Sequence, residues 1–116
     1  MLNRNELFEK MLTDTLRIFM SYDESTIEEL LQNPHLIVKE QVAKIFDLNV
    51  IIHSNDHNPP HFHVISNDYK INAKFSIKTG EFLMGEIDSK NIKRIKAFYI
   101  SPKGKIIMEK VWNKRL

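Results

Sequence analysis

The sequence contains no cysteine, three glycines, four prolines and one tryptophan. Without cysteine there are no disulfides and no thiolate metal sites, and a reducing, cytoplasmic setting is the expectation. With so little glycine there is no phosphate-cradling Gly loop, and neither a nucleophile elbow nor an HExxH helix is present. No stretch approaches the roughly 18 consecutive apolar residues of a membrane span, so no membrane partner is expected. The opening MLNRNELFEK lacks the basic and apolar regions of a signal peptide. No internal repeat or low-complexity linker interrupts the chain.

What is present is an ordinary globular composition in 116 residues, 42% apolar and 28% charged, which makes one domain the default. The net charge of +2 hides an asymmetry. Residues 1–40 hold four basic and eight acidic residues, whereas from Lys90 onward there are nine basic residues and one acid, Glu109. A basic C-terminal half suits a polyanion such as RNA or a small acidic protein. Equally, the acidic N-terminal part can cover it within the chain.

The hydrophobic period divides the chain near residue 44. Leu7, Phe8, Met11, Leu12, Leu16 and Phe19 recur at helical spacing, with Asn3 and Glu6 as a capping box. Ser25-Thr26-Ile27-Glu28 opens a second helix, and Asn33-Pro34 predicts a third carrying Leu36, Val38, Val42 and Ala43. Residues 1–44 therefore read as a helical N-terminal extension.

From Leu48 the period is two, and residues 45–116 read as an α+β domain. Leu48, Val50 and Ile52 alternate with Asn49, Ile51 and His53. His61 to Ile65 is a second strand. Tyr69, Ile71, Ala73, Phe75 and Ile77 alternate with Lys70, Asn72, Lys74 and Ser76, which predicts one buried and one wet face. Lys78-Thr79-Gly80 turns the chain into a return strand over Glu81 to Ile87. Asp88 or Ser89 caps one helix, and Ser101-Pro102 starts another with Met108, Val111 and Trp112 on its buried stripe. The short connections require antiparallel neighbours. The expected fold is a curved antiparallel sheet of about four strands with C-terminal helices.

The chemistry concentrates in residues 55–64, NDHNPPHFHV, which hold three of the five histidines. Alternation puts His61 and His63 on one strand face, with Phe62 and Val64 on the other. Pro59 and Pro60 stiffen the loop and fix the offset of His57 and Asp56 from that strand. Three readings stand. The first is metal-independent RNA cleavage by a ribonuclease-like hydrolase or lyase. His61 and His63 exchange protons with the substrate, Lys74 stabilises charge, and Asp56 orients His57. Lys70 is the other candidate cation. The second is a zinc or other divalent-metal site on His57, His61 and His63, with Asp56 as a fourth ligand. The third is a rigid loop whose histidines merely pack and hydrogen-bond. Separately, the chain reads as a non-catalytic binding module whose exposed sheet edge and basic helices dock a small acidic partner by strand addition.

The run Asp56-His57-Asn58-Pro59-Pro60-His61-Phe62-His63-Val64, followed by Thr79-Gly80-Glu81-x-Leu83-x-Gly85, resembles a family of small bacterial proteins of unknown function that carry a DHNPPHFH signature. The likeness covers roughly residues 45–116. It implies the toxin-like member of a toxin–antitoxin pair, acting through RNA or translation, with a small acidic antitoxin-like protein as partner. Many members carry an arginine where this chain has Ile51, so Lys70 or Lys74 must supply that charge here. Many also open the helix after Ile87 with Leu-Pro, which this chain lacks.

Overall fold

The computed structural model describes residues 4–38, 43, 45, 47–53 and 60–113, apart from the side chains at a few element ends. Its elements run α1 Arg4–Met20, α2 Glu24–Gln32, β1 Leu48–His53, β2 His61–Ser66, β3 Asn72–Ser76, β4 Phe82–Glu86, α3 Ser89–Ile100 and α4 Pro102–Asn113. The strands form one antiparallel sheet in the order β1-β2-β3-β4, the α+β arrangement that the short connections require.

One face of this sheet is covered. Leu48, Val50, Ile52, Phe62, Val64, Ala73 and Phe75 share a core with Phe8, Leu12, Leu16 and Met20 of α1, Ile95 and Phe98 of α3, and Ile107, Met108 and Val111 of α4. Phe62 is its hub. Its ring lies 5.4 Å from that of Phe75, 6.5 Å from Phe98 and 6.3 Å from Tyr99. Each such aromatic pair adds about 0.5–1.5 kcal/mol beyond area burial. The acidic N-terminal region is therefore built into the fold. Its second helix packs Ile27 and Leu30 on Ala97 of α3, and Glu28 takes up Lys93 at 2.9 Å.

Polar residues of α1 close the outer edge of β1. Glu9 accepts the Ile52 N–H at 2.8 Å and Thr13 accepts the Val50 N–H at 2.9 Å. Arg17 donates to the Leu48 carbonyl at 2.9 Å. The match is one of pitch. Four helical residues rise about 6 Å, and two strand residues advance about 6.8 Å, so an i, i+4, i+8 stripe meets every second strand residue.

Three expectations need correction. Residues 34–38 form a turn and irregular chain, not a third helix, and Ile37 is almost wholly exposed. Asn33 Oδ1 accepts the His35 N–H and its carbonyl accepts the Leu36 N–H, because Asn-Pro serves a turn as readily as a helix start. Val42 lies outside the described residues. The cap of α2 is Asp23, not Ser25: its carboxylate accepts the Thr26 N–H at 2.8 Å, and that bond holds its carboxyl below the usual range. Tyr69 does not continue the β3 alternation but sits in the preceding turn at φ +59°. The starts of α3 and α4 follow expectation, with Asp88 on the Asn91 N–H and Ser101 on the Gly104 N–H, while Asn3 lies outside the described residues.

Candidate functional site on the open sheet face

The sequence HFHVIS of β2 sorts its side chains by alternation. Phe62 and Val64 enter the core, and His61 and His63 turn to the face that the helices leave open. Register then decides their neighbours, because directly opposed residues of antiparallel strands share a face. His63 stands opposite Ile51 on one side and Lys74 on the other, and Lys74 stands opposite Met84. A row Ile51–His63–Lys74–Met84 thus crosses all four strands. The next row pairs His61 with Ser76 and with the backbone position of His53.

The two imidazoles are not equivalent. His61 is buried, with 6% of its surface accessible. His63 is half-buried, and its Nε2 lies 2.5 Å from Asn72 Oδ1. With the amide oxygen as acceptor, the His63 ring donates through Nε2. Asn72 reaches His63 diagonally, since its direct partner in β2 is Ile65. The register sets His63 and Lys74 directly opposite each other. His57 and Asp56 lie outside the described residues. Pro60, the end of that loop, is buried, and its carbonyl accepts the Ile77 N–H at 3.1 Å. Of the three proposed imidazole ligands, His61 and His63 stand two positions apart on one strand. Among the described residues no three His, Asp or Glu groups gather closely enough to hold a metal.

Beside this row lies a cleft of about 390 Å³ lined by Tyr69, Asn72, Lys74, Met84, Gly85 and Glu86. Two glycines shape the surroundings. Gly85 has φ +116°, and a Cβ there would stand 2.2 Å from the Asn72 carbonyl, so the strands approach this closely only with glycine. Gly80 has φ +76° in the β3–β4 turn, where the Tyr99 ring would meet a Cβ at 2.5 Å. The β2–β3 turn is equally determined. The Ser66 hydroxyl donates to Asp68 at 2.7 Å and accepts the Ile71 N–H, and the Lys70 N–H also bonds Asp68. The Ser66 hydroxyl, then the Lys70 N–H, hold the Asp68 carboxyl below its ordinary range.

The C-terminal positive charge lies elsewhere. α3 and α4 cover the core face, so their exposed Lys90, Lys96, Lys103, Lys105 and Lys110 belong to the helical layer. Lys93 is bound by Glu28, and Arg94 donates to the Tyr22 carbonyl at 3.2 Å. Lys74 is the lysine set directly beside His63, and Lys70 belongs to the turn. Sequence reasoning missed Asn72, Tyr69 and Glu86 as members of the site. A hairpin register drawn from the turn would have found Asn72, as the diagonal neighbour of His63.

No helix among the described residues is long and apolar enough to cross a membrane. No curated protein and no solved structure matches the chain. A family model described as Domain of unknown function (DUF4160) matches residues 48–110.

Proposed function

The chain belongs to the DUF4160 family, whose matched segment carries every described residue of the open-face site, and from that premise we propose that it acts on single-stranded RNA as the toxin-like member of a cytoplasmic toxin–antitoxin pair. The observation that carries this reading is the juxtaposition of His63, held by Asn72, and Lys74 on the sheet face opposite the described helices. An antiparallel face that carries the half-buried Lys74, bordered by a turn with the exposed Tyr69 and Lys70, suits unstacked bases and their phosphates. In the reaction, His63 takes the proton of a ribose 2′-hydroxyl. The freed oxygen bonds to phosphorus, and the bond from phosphorus to the 5′-oxygen breaks. That oxygen receives a proton from a second imidazole, His61 or His57. Lys74 stabilises the extra negative charge on the phosphoryl oxygens. The products are a 2′,3′-cyclic phosphate and a 5′-hydroxyl.

The test is incubation with single-stranded RNA in EDTA, followed by end-group analysis. Cleavage should persist without divalent metal and fall about 10²–10⁴-fold in His63→Ala. Growth arrest on induced expression should disappear with the same substitution. Intact RNA after prolonged incubation with the unaltered protein overturns the proposal, and cleavage abolished by EDTA favours the metal reading on His57, His61 and His63.

A protein-binding module is the second reading, favoured by the exposed Phe82, Leu83 and Met84 on the edge strand β4. It predicts partner binding that His63→Ala leaves intact. Glu81 and Glu86 at this edge disfavour an acidic partner strand here, so a small acidic antitoxin-like protein would engage the lysines of α3 and α4.

A further inference from the structure

Tyr69 is an aromatic residue in a backbone conformation that suits glycine, and 65% of its surface is exposed. Neither core packing nor local backbone preference accounts for tyrosine at this position. The surrounding turn fixes it there: Tyr69 N–H bonds the Ser66 carbonyl at 3.0 Å, and the Ser66–Asp68 bonds lock the residues before it. Tyr69 is thereby placed at the cleft that Lys74, Met84 and Glu86 also line. Met84 opposes Lys74 and Glu86 opposes Asn72, so ammonium and carboxylate come from adjacent rows of one face. A cleft with an aromatic wall, a thioether, a cation and a carboxylate has the parts to recognise a base and its phosphate together. Its volume of about 390 Å³ sits at the small end of ligand sites.

We propose that this cleft is a nucleobase subsite that selects guanine, with the base stacked on Tyr69, Glu86 accepting hydrogen bonds from its N1 and N2, and Lys74 facing its phosphate. The proposal rests on the RNA reading above and adds its specificity. An ionised carboxylate offers only acceptors, side by side. On the Watson–Crick edge, guanine alone presents two adjacent donors. Adenine and cytosine set a donor beside an acceptor, and uracil sets one donor between two acceptors. Stacking on an aromatic side chain holds any base, so the choice among bases falls to Glu86.

The experiment uses labelled 2′-O-methyl RNA octamers of oligouridine with one central guanosine, adenosine, cytidine or uridine. They lack the attacking hydroxyl, so binding is read by fluorescence anisotropy without cleavage. The guanosine octamer should bind about tenfold tighter than the uridine one, and Tyr69→Leu should weaken every octamer about tenfold. Glu86→Gln should remove the guanosine preference. Tyr69→Gly should lose binding as Tyr69→Leu does, although it suits the backbone better, which separates stacking from folding. Equal binding of the four octamers, no binding of any, or indifference to both Tyr69→Leu and Glu86→Gln overturns the subsite. Base-selective binding with no cleavage of natural RNA supports the subsite and sinks the catalytic reading. Cleavage without base preference does the reverse.

Discussion

The two edges of the sheet are finished in opposite ways. At β1, Thr13 and Glu9 of α1 take the outward N–H groups of Val50 and Ile52, and Arg17 takes the Leu48 carbonyl. At β4 all five residues are exposed, Phe82, Leu83 and Met84 among them. Geometry shapes that edge: the register shift opposite Lys74 and Phe75, and the positive φ of Gly85, bend the strand away from a flat ladder. The contrast teaches that a helix outside the family-matched segment does structural work for it. α1 lies before residue 48, where the match begins, yet it closes the sheet on which His63 and Lys74 stand.

The sharpest way to break this comparison is to loosen the helix. Leu12 is fully buried between α1 and the sheet, so Leu12→Ala should cost about 2–5 kcal/mol, measured by urea denaturation. A cost near zero would make α1 an appendage. Next in size is the edge bond itself. Thr13→Val keeps the shape and strands the buried Val50 N–H, at about 1–3 kcal/mol, and Thr13→Ser should recover most of that loss. If the valine variant is as stable as the parent, the seal on β1 contributes nothing. The smallest effect belongs to the other edge. Leu83→Lys should change stability by no more than about 0.5 kcal/mol while lowering self-association at high concentration in sedimentation runs. A large destabilisation there would mean that β4 is as integral to the fold as β1.

The strands were legible because burial on one face writes itself as alternation. Phe62 and Val64 against His61 and His63, and Ala73 and Phe75 against Asn72 and Lys74, assign both faces from the sequence alone. Gly80 and Ser101-Pro102 were legible because turn and cap chemistry admits few residues. The edge seal was not. Polar residues at positions 9, 13 and 17 of a helix look the same whether they meet water or a strand. Tyr69 was misjudged because periodicity reports side-chain polarity and is blind to φ, so an apolar residue one step beyond a strand extends the pattern by accident. Of the site, the shared face of His61 and His63 could be read from spacing. The difference in their burial, and the Asn72 contact, depend on how β2 meets its neighbours.

The seal on β1 also supplies an internal gauge. The amides of Val50 and Ile52 point away from the sheet, so in a bare strand they would trade their hydrogens with solvent at once. Here a threonine hydroxyl and a glutamate carboxylate hold them, across 37 and 43 residues of chain. Deuterium uptake at these two positions therefore registers each release of the N-terminal helix from the body of the protein, separately from global unfolding.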